Sequence, residues 1–269
     1  MTQDKLIVIL TFGVYVAGML LIGWIAYRRT TDLPDFVLGG RRLGSWVTAL
    51  SASASDMSGW LLLGLPGYAY AAGLESAWLA LGLFAGTYLN WRILAARLRS
   101  FSEHYGNALT IPEYLANRFS DPHGLLRGLS ALVILLFFLF YTSSGLVAGG
   151  KLFESVFGLR YEYAVAAGAL AVIAYTAVGG FLAVSWTDVA QGLLMAAALV
   201  AVPLMAFELD VGVGSTWHAI GQLNPELTNP LTDKSGQLLG LVSIASLLAW
   251  GLGYFGQPHI LARFQAVQA

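Results

Sequence analysis

From Leu6 to Ala26 the chain carries no charged side chain, and uncharged runs of similar length recur along it. A helix of ~20 apolar residues crosses the hydrocarbon core of a bilayer. Few folds accommodate several such runs. A soluble domain would need about 25% charged residues to cover itself. This chain has 11%, with 57% hydrophobic residues. A membrane β-barrel would show alternating strands of ~10 residues instead. The chain therefore reads as an all-α polytopic membrane protein in contact with the lipid bilayer. The 21 residues from Leu6 to Ala26 exceed a signal-peptide core, and no small-x-small cleavage site precedes Arg28. They form the first spanning helix. A net charge of −1 gives no footing for nucleic acid, and the absence of cysteine excludes disulfides and thiolate chemistry.

Seven apolar segments stand out, 6–27, 44–73, 76–97, 127–149, 162–179, 184–207 and 237–262, and they make one transmembrane domain over 1–269. The fifth and sixth abut at Gly179-Gly180, a turn between antiparallel helices. Connection 98–126 holds ALTIPEYL, a short interfacial helix. Connection 208–236 is rich in Gly, Asn, Pro and Asp. With the N-terminus outside, ten of the fourteen Lys and Arg residues fall on the inner side. The positive-inside rule thus places the N-terminus outside and the C-terminus inside.

Asp56 is the only charge between Gly44 and Leu74. A carboxylate at mid-membrane costs about 2.5–3.5 kcal/mol on insertion scales. One explanation is packing, with the carboxylate satisfied by the serines at 51, 53, 55 and 58. The other is function: the carboxylate pairs with a cation or relays a proton. A hard cation takes oxygen ligands, so the carbonyls of Ala54 and Met57 are as suitable as any hydroxyl. Two segments read as broken helices. One breaks at Asp56-Met57-Ser58-Gly59. The other breaks across Trp250 to Pro258, where three glycines and a proline weaken the helix. Inverted-repeat transporters place such breaks near the midplane, where freed carbonyls bind cations.

Trp250, Tyr254 and Pro258 recur every four residues, roughly along one helical face. Aromatics so spaced are core residues, or they line a cavity for a small cationic amine. Tyr141 reads either as a merely buried tyrosine or as a polar tip on an apolar helix that needs a partner, and a substrate is one option. Arg41 and Arg42 read first as positive-inside anchors. Asp188 is placed to pair with an arginine on the cytoplasmic side. Glu75 sits in an outer turn and reads as solvated. His104, His123, His218 and His259 lack metal-ligand spacing, and no Ser-His-Asp pattern, P-loop or dinucleotide fingerprint is visible. The chain does not read as an enzyme.

The runs YVAGMLLIGWIAYR, FVLGGRRLG, TALSASASDMSGWLLLGLPG, SALVILLFFLFYTSSGLVAG, GGFLAVSWTD and WGLGYFGQPHILARF closely resemble the sodium:solute symporter family, the last run its proline-transporting branch. The resemblance covers almost the whole chain. It implies a leucine-transporter-type inverted-repeat fold with one extra N-terminal helix, the first five-helix repeat and the first helix of the second. It also implies sodium-coupled uptake of L-proline in the bacterial cytoplasmic membrane, with sodium as co-transported ion and no cofactor. By the same resemblance, Asp56 with the carbonyls of Ala54 and Met57 binds sodium. Ser58, Gly59 and Trp60 match positions near sodium and substrate. Tyr141, Trp250, Tyr254 and Pro258 match proline-contacting positions, and Arg41 and Asp188 match coupling or gating positions. Family members complete the sodium site with hydroxyls from a helix beyond Ala269, so the chain is expected to be an N-terminal portion that does not transport alone. Two alternatives stay open: a symporter-like sensor module of a signalling protein, and a sodium symporter for another small solute.

Overall fold

In the computed structural model, residues 3–208 and 213–268 are described, and they are nearly all helical. Among them there is no strand, only two isolated bridges, Leu43 with Val267 and Thr232 with Leu238. The helices are α1 (Gln3–Tyr27), α2 (Leu33–Leu38), α3 (Ser45–Asp56), α4 (Leu65–Ala72), α5 (Ser76–Leu89), α6 (Ala96–His104), α7 (Ile111–Arg118), α8 (Leu125–Phe157), α9 (Tyr161–Glu208), α10 (Val213–Leu223), α11 (Leu241–Ala249) and α12 (Pro258–Ala266). Among the described residues, four stretches are long and apolar enough to cross a membrane: Leu6–Tyr27, Leu65–His104, Leu125–Phe157 and Thr176–Ala206. Their large side chains, among them Leu135, Phe137 and Phe140, lie exposed. Apolar surface on that scale calls for a lipid solvent.

The apolar segment 44–73 is not one continuous helix. It divides into α3, a non-helical step at Met57-Ser58, a π-helical turn at Trp60–Gly64, and α4. The segment 237–262 likewise divides into α11, a 3-10 stretch at Trp250–Gly256, and the start of α12. Gly180 breaks α9 with φ 58°, ψ −151°, a conformation open to glycine, so the chain turns where Gly179-Gly180 predicts. In connection 208–236, residues 209–212 lie outside the described residues. The remainder is more ordered than its composition suggests, with α10 and a 3-10 turn at Pro225–Thr228.

Contacts divide the chain into two compact units. The first comprises Met1–Gly59, Leu98–Gly192 and Ala262–Ala269. Its buried cluster joins Leu38, Leu43 and Ala266, with Val37, Val47, Leu109, Phe181, Leu182 and Ala262 packed around them. The Leu43 N–H donates to the Ala266 carbonyl, and the Gln268 N–H donates to the Leu43 carbonyl. The short helix read from ALTIPEYL is present as α7, with Thr110 as its N-cap. Thr110 accepts from the Glu113 N–H, and Glu113 accepts from the Leu109 N–H.

Asp121 closes the start of α8 by accepting from the N–H groups of Leu125, Leu126 and Arg127. Burial pushes its carboxyl up, but those donors outweigh it and hold it below the usual carboxylate range. Its stabilisation is therefore fully present above the ordinary aspartate pKa of about 3.9 and is lost as pH falls through the lowered value. Asp121→Ala should speed hydrogen exchange of the amides at 125–127 at neutral pH and spare the middle of α8. Acidification should bring the wild type toward the variant. Equal exchange in both proteins at neutral pH would remove Asp121 from this role.

The second unit comprises Trp60–Arg97 and Leu193–Leu261. Here α5 packs against α11 and the 3-10 stretch after it, backbone on backbone. Gly82 faces the backbone of Leu248, and Gly86 faces Gly251. These two glycines form a GxxxG pair, which lets helices approach closely where lipid supplies no hydrophobic drive. Gly73 (φ 66°) turns the chain between α4 and α5, against the backbone of Leu227. Glu75 is not left to solvent, because the Tyr68 hydroxyl donates to it at 3.0 Å.

Candidate functional site

In the first unit, α3 ends at Asp56. The Met57 N–H donates to the Ser53 carbonyl, 3.1 Å, and Met57 then leaves the helix at φ −70°, ψ 79°. The Ser58 N–H meets the Asp56 carbonyl at 2.8 Å, off the helical path that would take it to the Ala54 carbonyl. Backbone oxygens beside Asp56 are thus turned out of the regular ladder. The Tyr141 hydroxyl, from α8, donates to the Ser55 carbonyl at 3.1 Å, so the expected tyrosine partner is the unwound end of α3. Ala54 is buried and packs toward Gly192, where an added Cβ would stand 3.1 Å from the Ala54 Cβ. Gly59 lies so near α8 that a Cβ there would come within 2.8 Å of Ala148. Asp56, Ala54, Met57, Ser58, Gly59 and Tyr141 therefore gather around one helix break.

Asp188 does pair with an arginine. Its Oδ2 lies 2.7 Å from Arg263 Nη2 and also accepts from Ser51 (2.6 Å) and Ser55 (3.0 Å). The Arg263 Nε donates in turn to Ser51 Oγ at 2.8 Å, and its guanidinium lies over the Phe181 ring. Ser51 is wholly buried, and Asp188 and Arg263 nearly so. The sequence places Ser51 and Ser55 near Asp56 and Arg263 among the inner charges, and the structure turns both hydroxyls to Asp188 instead. The partners lie 75 to 212 residues apart in the chain, and no local pattern marks them.

Arg41 is more than an anchor. It follows Gly39 and Gly40, and all three take positive φ (60°, 61° and 54°). A non-glycine residue held there costs about 1–3 kcal/mol. Three hydrogen bonds hold it: to the Ala108 carbonyl (2.7 Å), to Ser102 Oγ (2.9 Å) and to the Gln265 carbonyl (3.3 Å). Arg99 works beside it and donates to the Val267 carbonyl at 2.7 Å. Burial, and then the nearby Arg99 charge, pull the Arg41 guanidinium below its usual value. Arg42, in contrast, lies largely in solvent and pairs with Asp35.

In the second unit, Trp60 and Trp250 stack with centroids 5.1 Å apart and planes 12° from parallel. Tyr254 is buried, and its carbonyl accepts from Asn90 Nδ2 at 3.0 Å. Pro258 opens α12 after extended Gln257, at a position where the missing N–H costs nothing. Trp250 and Tyr254 thus sit in one 3-10 stretch but differ in exposure, 50% against 7%. Asn90 is buried at a π-helical turn, Asn90–Ala95, and carried no signal in the sequence. Among the described residues no group of three His, Cys, Asp or Glu side chains could hold a metal.

A sodium:solute symporter family model matches residues 36–269. The chain belongs to the sodium:solute symporter family. It is 52% identical over 261 residues to the sodium/proline symporter of Escherichia coli (strain K12), covering 97% of this chain and 51% of that protein. It is 51% identical over 261 residues to the osmoregulated proline transporter OpuE of Bacillus subtilis (strain 168), covering 97% of this chain and 52% of that one. The chain spans about half the length of the curated relatives it matches. Among solved structures, a Na+-coupled sialic acid symporter in a substrate-bound outward-open state superposes with a TM-score of 0.77 at 20% identity. That match covers 96% of this chain and 53% of the other. This family member is thus a helical membrane protein with the leucine-transporter-type fold expected of it.

Proposed function

We propose that this chain is the N-terminal portion of a sodium-coupled L-proline symporter, a carrier and not an enzyme. One observation carries the proposal. The sole acid of the 44–74 segment stands where α3 unwinds and its carbonyls leave the ladder. A monovalent cation suits that arrangement: one carboxylate for charge, backbone oxygens for the rest of its shell. Asp56 with the carbonyls of Ala54 and Met57 would bind sodium. Ser58, Gly59, Trp60, Tyr141, Trp250, Tyr254 and Pro258 would serve the substrate, and Arg41 and Asp188 would couple or gate the two. The names of the relatives support proline as the solute. The excess of Lys and Arg between successive spans supports an N-terminus outside and a C-terminus inside, in the bacterial inner membrane. Sodium moving inward gains about 2.3 kcal/mol per 100 mV, a usable drive for accumulation.

In the whole transporter, reconstituted in vesicles with an imposed sodium gradient, Asp56→Asn should abolish labelled-proline uptake, and Asp56→Glu should keep a weakened activity. Normal sodium dependence in Asp56→Asn would refute the assignment.

A further inference from the structure

Within the first unit, a cavity of about 420 Å³ opens where α1 ends and the second leg of α9 begins. Its lining joins two kinds of surface. Arg29 and Arg42 bring guanidinium groups, and Val47, Leu43, Leu182 and Trp186 bring apolar walls. Asp35 also lines it, but its carboxylate is already committed. It takes the Arg42 guanidinium, the Thr31 hydroxyl at 2.8 Å and the Thr31 N–H at 3.1 Å. One positive charge is left over, and it is that of Arg29. Among the described residues Arg29 makes no ion pair with an acid, and its guanidinium rests 5.2 Å from the Trp186 ring. Arg42 meets Asp35 through one nitrogen and keeps further donors, because a guanidinium carries five N–H groups.

The level of the cavity in the membrane is fixed by its neighbours. The apolar run Leu6–Tyr27 stops two residues before Arg29, and Trp186 stands six residues after the Gly180 break that opens the second leg of α9. Trp46, Leu33 and Phe36, close in sequence to the lining residues, are all exposed. Exposed aromatics beside arginines at span ends mark the headgroup layer. A soluble anion would use the guanidinium groups and leave the apolar walls wet. A phospholipid uses both.

We propose that this cavity binds one anionic glycerophospholipid, its phosphodiester between Arg29 and Arg42 and an acyl chain along Val47, Leu182 and Trp186. Basic pockets between membrane helices recognise such headgroups, and juxtamembrane basic residues each strengthen the attraction. Arg29 provides the selectivity, because Arg42 is partly neutralised by Asp35. The site is independent of transport, since none of these residues belongs to the proposed sodium or substrate positions.

The test is native mass spectrometry of the purified, delipidated full chain in detergent. The probes are dioctanoyl phosphatidylglycerol, dioctanoyl phosphatidylcholine and inorganic phosphate. Wild type should retain phosphatidylglycerol over phosphatidylcholine. Arg29→Gln should cut retained phosphatidylglycerol about fivefold, the effect of one basic residue at an anionic surface, and leave phosphatidylcholine unchanged. Arg29→Lys should hold most of it, and Arg160→Gln, at the far end of α8, should change nothing. Equal retention of the two lipids by wild type would overturn the proposal. So would undiminished phosphatidylglycerol on Arg29→Gln. Displacement of the lipid by equimolar inorganic phosphate would show a simple anion site and defeat it too.

Discussion

Arg263→Ala is expected to destabilise the chain by about 3–5 kcal/mol, the range for removing one partner of a buried ion pair. The variant leaves the Asp188 carboxylate with Ser51 and Ser55 alone, and Ser51 loses the Nε–H that it accepts. Asp188→Asn should cost a similar amount, because it strands the guanidinium. The double variant Asp188→Asn/Arg263→Gln should recover much of the loss, since neither buried charge remains and amide groups can hydrogen-bond each other. Thermal unfolding of the purified chain in detergent, taken round the double-mutant cycle, measures this. If Arg263→Ala unfolds within error of wild type, the network is not a stabilising one.

The second large effect is expected in the other unit. Gly86→Leu should disrupt the seating of α11 and the 3-10 stretch on α5, at the upper end of the roughly 1–3 kcal/mol cost of overpacking or beyond it. The obstacle is backbone: a Cβ on Gly86 would run into the Gly251 main chain, which has no side chain to swing away. Gly13→Leu is the control, because nothing lies within 4 Å of a Cβ there. Hydrogen–deuterium exchange over 241–256 should rise in Gly86→Leu and stay put in Gly13→Leu, while α8 remains protected in both. Unchanged exchange in Gly86→Leu would mean that the glycine contact does not hold the segment.

The two helix breaks were legible in the sequence because each has a local cause. At Asp56 a lone acid precedes a glycine, and at Trp250 to Pro258 glycine and proline cluster. The turn at Gly180 and the short helix after Thr110 were legible for the same reason. What the sequence hid is long-range. Ser51 looks like a small packing residue until Asp188, 137 positions away, is beside it. Arg41 looks like a membrane anchor because its carbonyl partners at 108 and 265 carry no side-chain signature. The Gly82-Gly86 pair stands in the sequence, but its role depends on which backbone lies opposite. Tyr141 was recognised as needing a partner, and that partner is a main-chain oxygen freed by a break elsewhere.

The π-helical turn at Asn90–Ala95 bears on how chains of this kind can vary in length. Such a turn holds one residue more than the α-helix on either side of it. Losing one residue there would restore an ordinary helix and leave the flanking segments in their places. An alignment gap at this point would therefore mark a local repair, not a shifted span. The residue given up would be felt at Asn90, the first residue of the turn, whose amide donates to the Tyr254 carbonyl.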